Sequence, residues 1–460
     1  MKRTDDQIPT LNLYVATNRR QFLKQGGSAL AAMSALGLAA CGGSSSSSSG
    51  GLNRGVGNIA LGTTSDVVPA FTASGQKQPF TLFDAQHKFK VKYVQENSDT
   101  DTYLTNIRTQ LRAGTDVVDV IAGDVSWGVQ FGSQGWLADL TNKFPTSAQA
   151  DFLPSMIQSC TWNGKLYGVP FYMDDGYLFY RKDLLERAGY SAPPQTWSEL
   201  QEMSLKVMQD QKIKYGFMFS GANFEGGTLL GIEFVKTSGG TITDGKTVTA
   251  TSPRAIEGLT IERSMITKGI SPEAVADYQE PNAEAPFIAG DAVFLRNWTY
   301  EFEDIANPKG TGSGAKIHPS QVGVAPLPRA STSISPVNVG GGWNLYINAN
   351  SPNQEAGWEL VQYMTSPAQQ TQTFEAIQYN PTRLSVLNDG GLAAKYPFSA
   401  INLAKAEVMQ TITPPRSPFY KDMSTVMAAQ FNAMLRGAQT PEQTAHNVQS
   451  GLEKIVSQSV

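Results

Sequence analysis

Short apolar runs alternate with helix-like apolar stripes from Asn58 onward. The predicted elements are, in order, a strand at 59–62, a helix at 79–89, a strand at 90–95, a helix at 102–113 and a strand at 117–122. The last of these strands is almost entirely apolar, which is typical of a parallel sheet covered on both faces. Strands and helices in alternation predict a layered α/β fold class.

Later helices are indicated by the residues of their first turns. Thr196 followed by Glu199 forms a capping-box pattern before an apolar stripe. Ser351 and Ser366 each precede a proline, with glutamine two residues after the proline, a combination that predicts a helix start. The segment 307–320 is rich in Gly, Lys and Ser and predicts an exposed loop.

The first forty residues have a different pattern. Arg19 and Arg20, with Lys24, precede a mildly apolar run at 28–40. Basic residues followed by a short apolar run are typical of an export signal, and the run is shorter than the about 20 residues that span a bilayer. The arginine pair resembles the twin-arginine signal of proteins exported folded. A general secretory signal with an incidental arginine pair is the alternative.

Leu38-Ala39-Ala40-Cys41 resembles the bacterial lipoprotein box, in which the cysteine is lipidated and becomes the mature N-terminus. The following stretch contains six consecutive serines, Ser44–Ser49, and such Gly/Ser-rich segments behave as flexible tethers. An ordinary cleavage site beside a chance cysteine does not explain the tether. We therefore predict a signal peptide at 1–40, a lipidated Cys41 with its tether at 41–55, and an exported protein held at a membrane by a lipid anchor.

Composition and charge further restrict the classes of function that fit this chain. The chain has 460 residues and a formal charge of −4, so its length predicts two or three domains. The acidic balance argues against binding nucleic acid, which requires a basic footprint. Besides Cys41 there is one cysteine, Cys160, for which we predict a small buried apolar role. Three scattered histidines lack metal-ligand spacing, and neither a metal nor a cofactor is expected.

An ordered set of motifs then identifies a family. The motifs are GVPF at 168–171, YLFYRKDLLER at 177–187, TWSEL at 196–200, FIAGDA at 287–292, VGVAPLP at 322–328 and GGW at 341–343. Together they resemble the extracellular solute-binding proteins of ABC sugar importers, over nearly all of 58–460. The set is most similar to the maltose/trehalose-binding proteins. The resemblance implies that the protein binds a sugar of that type and delivers it to the transporter's permease subunits.

The resemblance also implies a two-lobed periplasmic-binding-protein fold of type II, acting as a monomer. The chain is expected to cross between lobes near 171–176, 297–299 and 346–350. The first lobe would then combine 56–172 with 298–347, and the second 176–296 with 350–460. The ligand is expected in the cleft, with the lobes closing over it by hinge motion.

A sugar offers apolar C–H faces and a rim of hydroxyls, so its site needs aromatic rings and polar, preferably charged, side chains. Asp124 follows the strand predicted at 117–122, at the carboxyl end where open α/β sheets bind ligands; capping the next helix is its alternative role. Tyr172 and Asp174 lie at the first crossing, where the resemblance implies a sugar contact. For Asp174 a solvated hinge charge is the alternative.

Two tryptophans are candidate sugar platforms. Trp298 lies at the second expected crossing. Trp343 follows Gly342, whose missing side chain lets the backbone approach a ligand closely. The other helix-borne tryptophans are predicted to belong to the core, and these are Trp136, Trp197 and Trp358.

The remaining candidates are two arginines, a tyrosine and an aspartate. Arg383 and Arg416 each follow prolines that restrict the local backbone, and each either binds sugar hydroxyls or forms a salt bridge. The resemblance favours Arg416, with Phe419 or Tyr420 as an additional platform. Asp66 stands where related proteins often present a glutamate, so its shorter side chain leaves the ligand orientation open.

Two other functions would use some of the same residues. A glycosidase would place two carboxylates about 5–10 Å apart, a role that Asp124 and Asp174 could fill. The patterns of common hydrolases and of P-loop enzymes are absent, however, and we predict that the protein is not an enzyme. A binding protein for another solute, such as a polyamine, also uses aromatic rings and carboxylates and stays an alternative.

Overall fold

The fold is known from a computed structural model that describes residues 57–72, 80–244, 247–309, 311–399, 410–412 and 414–457. The predicted signal peptide, Cys41 and the whole tether lie outside the described residues. Of 410–412 only the backbone is described. Within the described part of the chain, no helix is both long and apolar enough to cross a membrane.

In chain order the strands are β1 Asn58–Thr63, β2 Lys90–Gln95, β3 Val120–Asp124, β4 Thr161–Trp162, β5 Lys165–Leu166, β6 Gly168–Asp175, β7 Tyr177–Arg181, β8 Tyr215–Met218, β9 Thr243–Asp244, β10 Thr247–Val248, β11 Ala292–Asn297, β12 Val322–Ala325, β13 Val337–Ile347, β14 Asn380–Pro381 and β15 Gln410–Ile412. The α-helices are Thr81–Gln86, Thr100–Arg112, Trp127–Gly132, Thr146–Gln149, Pro154–Ser159, Lys182–Arg187, Trp197–Gln211, Glu225–Thr237, Pro253–Thr267, Glu280–Ile288, Glu301–Ala306, Gln354–Met364, Pro367–Ile377, Leu384–Leu387, Gly390–Lys395, Tyr420–Leu435 and Pro441–Ser457. Short 3-10 helices span Val68–Phe71, Glu273–Asp277 and Pro319–Gln321.

Two sheets organise these elements. The first has the strand order β14-β6-β13-β3-β1-β2, with β15 beside β13; β1 is parallel to β2 and β3, whereas β13 is antiparallel to β3 and β6. The second has the order β12-β7-β11-β8, in which only β8 and β11 run parallel. Strands β1 and β3 are buried along most of their length, because helices cover both faces of the first sheet.

The predicted elements near the N-terminal end of the first sheet are confirmed, with small shifts of their bounds. The strand predicted at 117–122 begins later, at Val120. The helix predicted at 102–113 begins at Thr100, because the side chain of Asp99 accepts a hydrogen bond from the Thr102 amide and caps it. The helix predicted at 79–89 is shorter and spans Thr81–Gln86.

The predicted helix starts have different outcomes. Thr196 and Glu199 form both arms of a capping box, and Ser366 accepts a hydrogen bond from the Gln369 amide as an N-cap. The prediction for Ser351 is wrong, since that helix begins at Gln354. The Ser351 hydroxyl instead donates to Asp119 Oδ1, at 2.6 Å, so the pattern belongs to the loop before the helix.

The apolar predictions for the lone cysteine and the tryptophans agree with the packing. Cys160 is a free, fully buried thiol, and burial raises its pKa far above the ordinary value, which leaves it unreactive. Trp197 is 2% exposed in the core of the second sheet. Trp136 and Trp358 are half-buried and pack against the cores that surround the first sheet.

Each sheet has its own core, and the cores define two lobes. The first lobe comprises residues 57–175 and 340–399, and the second comprises 177–336 and 417–457. The chain passes from β6 to β7 through Gly176, and it returns to the first sheet between β12 and the middle of β13. Residues 414–416 still lie against the first lobe, and the chain enters the second lobe for the last time after Arg416.

The predicted lobe boundaries are wrong in two places. Residues 298–336 were assigned to the first lobe, yet β12 pairs with β7 and the ring of Phe302 packs 5.1 Å from that of Phe179 in the second. Residues 350–399 were assigned to the second lobe, yet Leu360 and its helix pack on the first sheet. The crossings expected at 297–299 and 346–350 therefore fall elsewhere. An apolar stripe indicates that a helix covers a sheet, but not which sheet it covers.

Candidate ligand-binding cleft

A cavity of about 880 Å³ lies between the two lobes. Nine carboxylate side chains line it, and these are Asp66, Asp99, Asp101, Asp124, Asp174, Glu225, Glu280, Glu303 and Asp304. Six aromatic side chains also line it, namely Tyr172, Phe224, Trp298, Tyr300, Trp343 and Tyr379. We call the lining residues of the first lobe the first wall and those of the second lobe the second wall.

Most of the predicted site residues are brought together here. Those that line the cavity are Asp66, Asp124, Tyr172, Asp174, Trp298, Gly342 and Trp343. Those that do not are Arg383, Arg416 and Tyr420.

Stacked rings form the aromatic part of the first wall. Trp343 on β13 lies opposite Tyr172 on β6 in the strand register, so both side chains project from the same face of the sheet. Their ring centroids are 6.2 Å apart with the planes inclined by 15°. Tyr379 extends the stack, with its ring centroid 4.5 Å from that of Tyr172. All three residues line the cavity, and their rings give this wall an apolar character suited to the C–H face of a sugar.

Gly342 lets this surface form. Its φ is +117°, and a Cβ there would lie 2.4 Å from the backbone oxygen of Tyr172. Only glycine tolerates both the positive φ and this close approach. The strand register shifts immediately afterwards, between Trp343 and Asn344, and such a bulge re-aims the neighbouring side chain.

Asp124 ends β3 at the edge of the cavity. Its Oδ1 accepts a hydrogen bond from the Ser126 amide, at 2.8 Å, so it holds the turn before the next helix while lining the cleft. The alternative role of capping the next helix is wrong, since the N-cap of that helix is Ser126 and no side chain caps it. Burial raises the pKa of this carboxyl, against the effect of its hydrogen bonds to Ser126.

Asp174 joins the two lobes beside the crossing at Gly176. Its Oδ1 accepts hydrogen bonds from the amide and the hydroxyl of Thr299, at 2.8 and 2.5 Å. Burial raises the pKa of this carboxyl to about 6, although the Thr299 bonds oppose the rise. The alternative of a solvated hinge charge is wrong for Asp174, because its hydrogen bonds hold it between the lobes.

Trp298 provides the aromatic surface of the second wall. The guanidinium of Arg296 lies over its ring, 3.8 Å from the centroid, and its indole N–H donates to Glu280 Oε1 at 3.3 Å. Arg296 in turn donates to both oxygens of Glu233, at 2.6 and 2.7 Å. The buried bidentate ion pair of Arg296 with Glu233 thus supports one face of the Trp298 indole.

Glu225 and Glu280 are site residues that the sequence analysis missed. Each is the first residue of a helix, where an acidic side chain is ordinarily explained by the helix dipole. Glu225 accepts hydrogen bonds from the hydroxyls of Tyr420, at 2.5 Å, and of Ser424. Burial and the nearby charge of Asp124 raise the pKa of Glu225 to about 7. Tyr420 therefore lies behind a lining residue and is not itself an aromatic platform.

Neither predicted arginine reaches the cavity. Arg383 donates to Asp151 Oδ2 at 2.9 Å and to the Thr365 oxygen at 2.6 Å, and its guanidinium covers the ring of Phe152. Arg416 donates to the backbone oxygen of Thr161. Both guanidinium groups are thus engaged by protein acceptors, and the salt-bridge alternative is the correct one for Arg383. Asp66, by contrast, lines the cleft and accepts a hydrogen bond from the Tyr379 hydroxyl at 2.9 Å.

Comparison with known proteins decides the family. The pattern that defines the bacterial extracellular solute-binding proteins matches residues 62–371. The chain belongs to this family. A probable ABC transporter-binding protein of Deinococcus radiodurans is 34% identical over 315 residues, which are 67% of this chain and 72% of that protein.

Solved structures agree with this membership. The maltose-bound MalE3 of T. maritima is 30% identical, and the alignment covers 86% of this chain and 99% of that one with a TM-score of 0.76. A solute-binding protein from Thermotoga lettingae bound with α-D-tagatose is 24% identical, with 87% and 99% coverage and a TM-score of 0.73, and shows the fold alone. The predicted resemblance and the two-lobed α/β fold are confirmed. The chain is a solute-binding protein of the ABC-transporter class and not an enzyme.

Proposed function

We propose that the interlobe cleft binds a sugar, of the size of the disaccharides maltose and trehalose, and that the protein delivers it to the permease subunits of an ABC importer. The observation that carries this proposal is the stack of Tyr172, Trp343 and Tyr379, which faces carboxylates across one cavity. Aromatic faces bind the C–H surface of a sugar ring, while carboxylates accept hydrogen bonds from its hydroxyls.

The size of the cavity and one of the similar solved structures support this ligand class. Small-molecule sites range over roughly 300–1,000 Å³, so about 880 Å³ is near the upper end and favours two sugar rings over one. The structure of MalE3, 30% identical to this chain, contains maltose. Carboxylates that only accept hydrogen bonds explain binding without any chemical step on the sugar.

The membrane attachment is part of the same proposal. Cys41 would carry a lipid, and the Gly/Ser tether would keep the two lobes within reach of the permease while leaving them free to open and close. The protein would act outside the cytoplasm as a monomer. Replacing the cysteine, as in Cys41→Ser, should move the protein from the membrane fraction to the soluble exported fraction; retention in the membrane would contradict the anchor.

A thermal-shift panel on the purified protein tests the sugar proposal. A ligand at 100 times its dissociation constant adds about 2.7 kcal/mol of stability, which is readily seen as a higher melting temperature. A rise with maltose, trehalose or another disaccharide supports the proposal. A rise with polyamines or amino acids and with no sugar would contradict it and leave the family intact.

A further inference from the structure

The acidic and basic side chains that line the described cleft are all carboxylates. A neutral sugar does not require such an excess of negative charge. Among the described residues that line the cleft there are nine carboxylates and no lysine, arginine or histidine. Carboxylates accept hydrogen bonds from hydroxyls, but a hydroxyl rim also needs donors, because each hydroxyl accepts as well as donates. A cavity with many acceptors and few charged donors fits a ligand that is itself rich in donors.

Carboxylates from both walls line the same cavity. Asp124 belongs to the first wall and Glu225 to the second, and the charge of Asp124 contributes to the raised pKa of Glu225. The hydrogen bonds that hold these two carboxylates come from neutral groups, namely an amide and two hydroxyls. No cation in the described part of the chain forms an ion pair with either one. Closing a cleft over such a pair is unfavourable unless a positive charge or a proton lies between them.

The cations near the cleft are engaged elsewhere. Lys421 pairs with Asp101 across the cleft, Nζ to Oδ1 at 2.5 Å. Arg296 is paired with the buried Glu233 behind Trp298. These two cations offset part of the negative charge, but neither lines the cavity.

A hydroxyl at the first wall independently indicates a polar ligand. Thr64 lines the cavity and its side chain is 2% exposed. Its Oγ1 has no hydrogen-bond partner among the described residues, although buried hydroxyls are normally paired. The oxygen is itself sealed from solvent, and a rotation of the Thr64 side chain would turn it toward a ligand group in this part of the cleft.

A metal ion does not explain the charge as well. Within the described residues, no group of three or more Asp, Glu, His or Cys side chains is placed to hold one. An ammonium group needs no fixed coordination shell and forms charge-assisted hydrogen bonds with individual carboxylates. Asp124 and Glu225, which come from opposite walls, therefore suit an ammonium group better than a metal ion.

We infer that the sugar bound in the cleft carries a protonated amine, which lies between Asp124 of the first wall and Glu225 of the second. The inference rests on the proposed sugar-binding function and names the class of sugar: an amino sugar of one or two rings. The aromatic stack binds its apolar faces, and the two carboxylates bind its charge. Closure then brings both walls onto the amine, so that binding of this ligand and closing of the cleft favour one another.

Isothermal titration with matched pairs of sugars tests the inference on the purified protein. The pairs are D-glucosamine and D-glucose, the β-1,4 disaccharide of glucosamine and cellobiose, and 2-amino-2-deoxytrehalose and trehalose, with spermidine as a cation that is not a sugar. In at least one pair the amine should bind at least tenfold more tightly, a difference of about 1.4 kcal/mol. The affinity of that amine should fall as sodium chloride rises from 50 to 500 mM, because salt screens the charges.

Variants show whether the preference comes from the two carboxylates. The double variant Asp124→Asn/Glu225→Gln keeps the size of both side chains and should abolish the preference. Glu262→Gln is the control, since Glu262 is a buried carboxyl that lies outside the cleft, and it should keep the preference. Circular dichroism establishes that each variant is folded; if the double variant is not, the salt dependence of the unchanged protein decides.

The outcomes distinguish a failure of this inference from a failure of the proposed sugar-binding function. If no amine binds more tightly than its hydroxyl counterpart, the inference is wrong; where a neutral sugar does bind, the proposed function survives. If spermidine binds and no sugar does, the proposed sugar-binding function is wrong. The inference, which rests on that function, is then wrong as well. A preference that persists in the folded double variant would place the amine elsewhere and also overturn the inference.

Discussion

The two walls of the cleft are built in different ways. On the first wall, aromatic rings are aligned by the pairing of β6 with β13, and Asp124 is held by a backbone amide. On the second wall, Trp298 rests on the guanidinium of Arg296, and Glu225 is held by side-chain hydroxyls. The first wall is thus positioned mainly by backbone structure, and the second mainly by side chains that touch side chains.

This difference predicts how each wall responds to substitution. Backbone hydrogen bonds and strand register survive the loss of one side chain, so a change on the first wall should affect binding more than folding. A wall that depends on buried charges is different, because removing one partner leaves the other without compensation. Changes behind the second wall should therefore affect stability first and binding as a consequence.

The largest expected effect is the loss of stability in Arg296→Ala. This change leaves the carboxylate of Glu233, which is 1% exposed, without its cation, and breaking a buried ion pair in this way costs about 3–5 kcal/mol. Urea denaturation measures the loss. The matched control is Arg254→Ala, whose ion pair with Glu257 is exposed and should be worth less than about 1 kcal/mol. Equal losses of stability in the two variants would show that the buried ion pair contributes no more than the exposed one.

Next in size is the loss of binding in Trp343→Ala. Removing this ring takes away a large part of the aromatic surface of the first wall, and the ligand found in the sugar panels should bind at least tenfold more weakly, or about 1.4 kcal/mol. Titration calorimetry measures the change. Trp358→Ala is the control, because Trp358 packs on the same lobe but does not line the cavity. Unchanged affinity in a folded Trp343→Ala protein would exclude this tryptophan from the site.

A smaller effect concerns the pH dependence of stability in the second lobe. Burial raises the pKa of Glu262 to about 8 from an ordinary 4.5, so between these values the folded state binds more protons than the unfolded state. Stability should therefore fall as the pH rises from about 4.5 to about 8, and ligand-free Glu225 acts in the same direction, up to its pKa of about 7.

Replacing Glu262 should flatten that dependence. Glu262→Gln should melt a few degrees higher than the unchanged protein at pH 8.5, with a smaller difference at pH 4.5, as measured by thermal scans. Glu257→Gln serves as the control, because its carboxyl is largely exposed. A difference in melting temperature that does not grow with pH would show that Glu262 is not protonated in the folded protein.

The smallest effect is expected for Lys421→Ala. Its ion pair with Asp101 joins the two lobes but remains partly exposed, and such pairs contribute about 0–1 kcal/mol. We expect a change of at most a few-fold in ligand affinity and little change in melting temperature. A loss of affinity greater than tenfold would mean that this cation contributes directly to holding the cleft closed, and the two walls would then not be independent.

The sequence by itself determined the elements that depend on nearby residues. The capping box at Thr196 and Glu199 and the N-cap at Ser366 involve residues three apart, and both are present. The positions of Asp124, Tyr172 and Trp343 near the cleft were also predictable, since strand ends and family motifs indicate them. The family itself followed from the order of its motifs along the chain.

The tertiary structure decided everything that depends on which partner an element meets. The stripe in the helix Gln354–Met364 is equally compatible with either sheet, and only packing places it on the first. Arg383 and Glu225 show the same limit for polar groups: a guanidinium after a proline, or a carboxylate at the start of a helix, has the same local pattern whether it faces a ligand, a salt-bridge partner or water. Periodicity and capping are set by residues a few positions apart, whereas the surroundings of a side chain are set by residues tens to hundreds of positions away.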